Sequence, residues 1–221
     1  MLFYNSIKHS KMKFKLYLLL LFLTFKITDL KSQTPGWAWA KSAGGISNDD
    51  SFGIAVDNLG NSYITGDFQD TATFGNTTLI NYGYSNMFLA KYDSLGNLIW
   101  VKQAGGVVET SGRGIAVDDS GNSYITGTFY DTAFFGNLSI ISRGAFDIFI
   151  AKYDSSGNIL WVHNAGGIGN DFGTGISVNN FGNVFITGDF NDSANFGGTT
   201  IVTNGGSDIF VAKYNSAGNL I

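Results

Sequence analysis

The sequence predicts an all-β protein assembled from tandem copies of one four-stranded antiparallel unit. Three observations predict it. A 61-residue pattern recurs without insertion or deletion, turn residues fall at fixed places in each copy, and the region after residue 33 has one Glu among its sixteen acids. The abundant Gly, Asn, Ser and Thr favour turns over helix interiors. With 44% apolar and 15% aromatic residues the chain can build a packed core, which argues against disorder. It has no Cys, so a disulfide framework and a thiolate metal site are both excluded.

Residues 1–33 read differently from the rest. Lys8, Lys11, Lys13 and Lys15 precede the apolar run Leu16–Phe25, and small or polar residues follow. A ten-residue run is too short to span a bilayer, which takes about 20 residues, and it suits the core of a signal peptide starting at Met1 or Met12. The expectation is an exported chain, secreted or held at the cell surface, with no stable membrane insertion after the leader is removed. Six of the thirteen basic residues and one of the seventeen acids lie in this leader, so residues 34–221 carry a formal charge of −9. Such a surface repels phosphate backbones, which excludes nucleic acid as a partner.

Self-comparison defines the units 39–99, 100–160 and 161–221. Trp39 opens WAKSAGG, Trp100 opens WVKQAGG and Trp161 opens WVHNAGG; GIAVD at Gly53 recurs at Gly114 and as GISVN at Gly175; YITG at Tyr63 recurs at Tyr124 and as FITG at Phe185. Each unit holds two turns of the form D-x-x-G-N or N-x-x-G-N, with glycines at Gly60, Gly96, Gly121, Gly157, Gly182 and Gly218. Asp or Asn first and Gly fourth suit a type I turn closed by a glycine at positive φ. Between the turns, Met87–Asp93 is apolar on both faces, as in a strand covered on both sides by other sheets.

Strands are therefore expected at about 39–45, 53–57, 61–68 and 87–93, with an excursion over 69–86 carrying the D-x-A-x-F-G element of Asp70, Asp131 and Asp192. Four short strands per repeated unit describe a β-propeller blade. The runner-up is a three-fold barrel or prism. Because Ile221 falls inside a strand pattern that Leu98–Val101 completes elsewhere, the expectation is an incomplete ring with further units downstream.

The motifs W-x-x-x-A-G-G, G-I-A-V-D-x-x-G-N-x-Y-I-T-G and F-x-A-K-Y-D-x-x-G-N-x-x-W resemble the secreted bacterial β-propeller repeats known as SBBP repeats, over all of 39–221. The resemblance implies an extracellular or cell-surface protein with many such repeats, often followed by a sorting domain for type IX secretion. It implies no ligand and no chemistry.

A catalytic site occurs once per molecule, whereas residues present in every copy serve the blade. That reading demotes Lys91, Asp70 and their repeats, and gives Trp39, Trp100 and Trp161 to the core between blades. His163, where the other copies have Lys41 and Lys102, reads as a surface substitution. No residue is assigned to catalysis, a cofactor or a metal. In an up-and-down meander the tight turns share one face, and the segments 46–52, 107–113, 168–174 and the excursions share the other. On that variable face the candidate binding residues are Tyr82, Tyr84, Glu109, Arg113, Arg143 and Phe146. The expected role is a non-enzymatic scaffold for extracellular binding, adhesion or surface display, with a glycan or a protein as ligand. The alternative is a fragment of a carbohydrate-active propeller enzyme whose active site lies in other blades.

The leader generates the first testable expectation. Mass spectrometry of exported protein should give an N-terminus between about residues 26 and 36, following the apolar core; intact Met1 or Met12 in the membrane fraction would contradict it.

Overall fold

The computed structural model describes residues 38–221, and the expected leader lies outside them. All regular structure there is β, in antiparallel sheets. The first sheet orders β1 (Asp49–Val56), β2 (Ser62–Phe68), β5 (Asn86–Tyr92) and β6 (Leu98–Ala104), with a separate hairpin of β3 (Thr71–Phe74) and β4 (Thr77–Ile80). The second orders β7 (Thr110–Val117), β8 (Ser123–Phe135), β9 (Leu138–Tyr153) and β10 (Ile159–Ala165). The third has β11 (Phe172–Val178), β12 (Val184–Asn195) and β13 (Thr200–Tyr214). β1, β7 and β11 pack side by side in that order and form the inner edge of the arc. The three sheets stay separate and form an open arc of propeller blades, not a prism.

The turns form as the sequence predicts. In the 57–61 turn the Asp57 carboxylate accepts from the backbone N–H of Leu59 (3.0 Å) and Asn61 (2.9 Å) and from the Asn61 amide (2.8 Å). Asp93, Asp118 and Asp154 repeat the pattern. Burial raises the Asp118 carboxyl, but the accepted hydrogen bonds outweigh it and hold the group below the usual carboxylate range. The closing glycines all have φ between 74° and 84°.

Blades stack front to back. Tyr63, Met87 and Leu89 of blade 1 are fully buried in one cluster with Ile115, Phe149 and Tyr153 of blade 2. Tyr124, Ile148 and Ile150 repeat the contact against Ile186, Phe210 and Tyr214 of blade 3. Each such side chain contributes about 1.5–3 kcal/mol by leaving water. The Tyr63 hydroxyl lies 3.2 Å from both Asp57 Oδ2 and the Gly121 carbonyl of the next blade, two acceptors for its one proton. Trp100 Nε1 donates to the Ser155 carbonyl at 3.2 Å, and Trp161 Nε1 to that of Ser216 at 3.2 Å. The tryptophans thus sit on the next blade's turn, at the seam.

Four expectations need correction. The Trp strand closes a sheet as its outermost member and does not open one, so a blade runs from one GIAV strand to the following Trp strand. Residues 39–45 form no strand; they make a single bridge, Gly44 to Thr73. The excursion is not an irregular loop but a β-hairpin, entered at Asp70, Asp131 or Asp192 with φ of 57°, 67° and 59°, a left-handed conformation Asp tolerates. Its Phe74, Phe135 and Phe196 are buried against Phe88, Phe149 and Phe210, centroids 4.9, 5.1 and 4.7 Å apart. Finally, the segments 46–52, 107–113 and 168–174 are strand for about half their length. Residues 110–112 are buried, and a side chain at Gly112 would collide with Thr65 of the neighbouring blade. Small turn-forming residues are required there because inner strands approach closely, and propensity alone misreads that requirement.

Gly121 has φ of 76° in the 118–122 turn, with Tyr63 Oη and Ser155 Cβ 3.3 and 3.4 Å from where a Cβ would sit. Gly121→Val should cost about 1–3 kcal/mol. Thermal melts checked against the parent would show a clear fall in Tm; an unchanged melt would mean that the turn tolerates β-branching.

Candidate functional site

The turn face carries nearly the same residues in every copy, because its turns are also seam contacts. The opposite face differs from seam to seam, and the six candidate residues divide between two of its seams.

At the seam of blades 1 and 2, Tyr82 and Tyr84 flank Gly83 on a short loop after the hairpin. Asn81 Oδ1 accepts from the Gly83 N–H at 2.8 Å, Tyr84 N–H donates to the Val107 carbonyl at 3.2 Å, and Thr110 N–H donates to the Ser85 carbonyl at 3.0 Å. The backbone is pinned, yet the Tyr82 and Tyr84 side chains are 88% and 63% exposed. Beside them, the charges of Glu109 and Arg113 act on Asp67 of blade 1, whose carboxylate accepts from the Ser111 hydroxyl. Burial raises the Glu109 carboxyl, Asp67 raises it further and Arg113 opposes both. The Arg113 guanidinium lies 4.4 Å from the Phe52 ring centroid across the inner strands.

At the seam of blades 2 and 3, Phe146 packs between Tyr130 and Phe172, at 5.5 and 5.8 Å. Arg143 Nη1 donates to the Gly166 carbonyl at 3.2 Å. Under it lies Asp147, fully buried, one oxygen accepting from the Arg143 backbone N–H at 3.1 Å and the other without a partner. Asp171, also buried, accepts from the Gly167 N–H at 2.8 Å and the Asn191 N–H at 3.2 Å. A Cβ on Gly166 would sit 2.6 Å from Asp147 Oδ1 and 2.8 Å from Asp171 Oδ2, so the two carboxylates converge there. Burial, with Asp171 adding repulsion, raises the Asp147 carboxyl to about 6.

The structure therefore places Tyr82, Tyr84, Glu109 and Arg113 at one seam and Arg143 and Phe146 at the other. Sequence reading missed Asp67 and Asp147. The available signal was an acid at the end of a strand whose other residues repeat between copies. His163 is no surface substitution: it is half-buried, its ring centroid 5.3 Å from that of Trp161. Among the described residues no group of three or more His, Cys, Asp or Glu is placed to hold a metal.

Stacked four-stranded blades with inner strands side by side define a β-propeller repeat protein. Within that class, the profile of the SBBP β-propeller repeat matches residues 38–67 and 99–128, and the chain carries SBBP repeats. It is 30% identical over 185 residues to an uncharacterized WD repeat-containing protein of Acanthamoeba polyphaga mimivirus, covering 73% of this chain and 13% of that protein. It is 27% identical over 142 residues to the regulatory protein FlaEY of Caulobacter vibrioides, covering 62% of this chain and 15% of that one. The chain thus spans only a small part of the length of either curated relative.

Asp147 generates a pH prediction. Its folded pKa of about 6 lies above the ordinary 3.8, so the folded state binds the extra proton between those values. This group's contribution favours the fold at low pH and is lost as pH rises through about 6. Asp147→Asn, the residue that blade 1 carries at Asn86, should raise Tm at pH 7 and remove that part of the pH dependence. A lower Tm at pH 7 in the variant would contradict the assignment.

Proposed function

We propose that this chain is an exported, non-enzymatic β-propeller scaffold that binds an extracellular ligand, a glycan or a protein surface, through its variable loop face, in adhesion or surface display. One observation carries the reading: Tyr82 and Tyr84 are largely exposed on a hydrogen-bonded loop, where burial could have hidden them. Tyrosines on a pinned backbone offer amphipathic contact area at small entropic cost. The carboxylates of Asp67 and Glu109 beside them supply acceptors for hydroxyl or ammonium groups. The net negative charge after residue 33 makes nucleic acid an unsuitable partner.

A second reading, part of a carbohydrate-active propeller enzyme, is favoured by one feature. Asp67 and Glu109 are two neighbouring acids in a combination that the next seam replaces with Thr128 and Asn170. Against it, the Ser111 hydroxyl already engages Asp67, and the Arg113 charge opposes the rise in its pKa. Polysaccharide hydrolysis lost in Glu109→Gln would favour this reading.

For the binding reading, Tyr82→Ser with Tyr84→Ser should weaken a glycan-array or cell-adhesion signal by about tenfold or more, the scale of an interface hot spot. The melt should barely move, and Asp119→Ser on the turn face should leave the signal intact. Equal loss from both variants, or none from the tyrosines, would remove the loop face as the binding surface.

A further inference from the structure

The two seams between blades differ on the loop face in charge as well as in shape. At the first, Tyr82, Tyr84 and Val107 are all largely exposed, and the backbone bond from the Tyr84 N–H to the Val107 carbonyl holds them together. Exposed apolar and aromatic side chains gathered on one face mark a docking surface. Glu109 belongs to the same patch, because it pairs in parallel with Ser85, the residue after Tyr84. The acids here repel one another. Asp67 feels Asp50 and Asp49, and Glu109 feels Asp67. Arg113 opposes this at both Asp67 and Glu109, with its guanidinium seated 4.4 Å from the Phe52 ring centroid.

The second seam shows how this face accommodates a cation. Thr128 and Asn170 stand there in the places of Asp67 and Glu109, and Arg143 stands in the place of Tyr82. Arg143 Nη1 donates to the Gly166 carbonyl at 3.2 Å, and its charge lowers the carboxyl of buried Asp147. That seam supplies a basic side chain to its own acids from the 143 position. The first seam has acids and, at the same position, a tyrosine ring. A ring face attracts an ammonium or guanidinium group, and neighbouring carboxylates accept its N–H donors. The Phe52–Arg113 contact is that attraction already present within the chain. A neutral glycan gains nothing from the surplus of negative charge, whereas the −9 of residues 34–221 draws a basic surface in and turns an acidic one away.

We propose that the patch of Tyr82, Tyr84 and Val107 docks a basic segment of another protein, with a Lys or Arg side chain of that segment against the tyrosine rings and Glu109. The proposal rests on the loop face being the binding surface, and of the two ligand classes it chooses the protein over the glycan. The partner's cation takes the role at the first seam that Arg143 fills at the second, and Val107 meets the apolar part of the segment.

The probe is a fluorescein-labelled peptide of alternating Lys and Ser, with the same peptide carrying Gln for Lys as its neutral counterpart. Fluorescence anisotropy with the full chain should show binding of the Lys peptide and none of the Gln peptide. Affinity should fall about tenfold or more as NaCl rises from about 50 to 500 mM, because the pairs are exposed to solvent. Glu109→Gln should weaken binding about fivefold or more, and Tyr82→Arg, which brings the cation from within, should abolish it with the melt unchanged. Asp119→Ser removes one acid on the turn face and should have no effect. Equal losses in Glu109→Gln and Asp119→Ser would reduce the binding to attraction by net charge and overturn the proposal, as would a Tyr82→Arg chain that binds like the parent. Neutral glycans bound on an array in a Tyr82-dependent way, with no binding of the Lys peptide, would overturn the basic partner and leave the loop face as the binding surface. Binding of neither probe would remove both.

Discussion

The third strand of each blade sets the terms for the rest of the molecule. β5 is buried along its whole length on both faces, Phe88, Ala90 and Tyr92 with Ala72, Phe74 and Leu79 of the β3–β4 hairpin and Met87 and Leu89 against blade 2. A sheet with two apolar faces cannot stand alone in water, so each blade needs cover on both sides, from a neighbouring blade or from its own hairpin. The repeat follows from this, since one surface must fit its own copy in succession. The hairpin serves the same end, with the aromatic rings of Phe74, Phe135 and Phe196 filling the seam where strands diverge.

That constraint also separates the two faces. On the turn face, the groups that close a turn also join blades: Tyr63 reaches the Gly121 carbonyl, and Trp100 reaches that of Ser155. A change there disturbs a turn and a seam together. The third copy shows the coupling, because Asn179 replaces the turn Asp in the copy where Phe185 replaces the tyrosine that would donate to it. On the loop face the backbone is held by main-chain bonds such as Tyr84 to Val107, which leave the side chains free to vary. Seams one and two accordingly present different sets, tyrosines near Glu109 and Arg113 in one and an aromatic trio beside buried carboxylates in the other.

Much of the fold was legible because it rests on local chemistry repeated three times. The D-x-x-G-N turns are short-range hydrogen-bond patterns, so spacing alone located them, and Gly121 takes the positive φ expected of it. The two-faced character of Met87–Asp93 was equally plain. The inner strands were read too short, because Ser111 and Gly112 look like loop residues until a neighbouring strand is seen to need Gly112 small. Of the candidate site, Tyr82, Tyr84, Glu109 and Arg113 were found by their variation between copies. Asp67 and Asp147 were not, since strands hid them and only the stacking of blades turns them towards other charges.

By itself the sequence determined the 61-residue unit, its turns, its doubly apolar strand and the division into a constant and a variable face, since each depends on residues near one another in the chain. Only the tertiary structure decided which strands make a blade. A Trp strand has the same local pattern whether it opens one sheet or closes the one before, and the choice is made by pairing with β5 and by an indole reaching a carbonyl 55 residues away. The same holds for the partnerships of Asp67 with Glu109 and Asp147 with Asp171. Their acids are distant in sequence, and it is the burial of one blade's face against the next that brings them together.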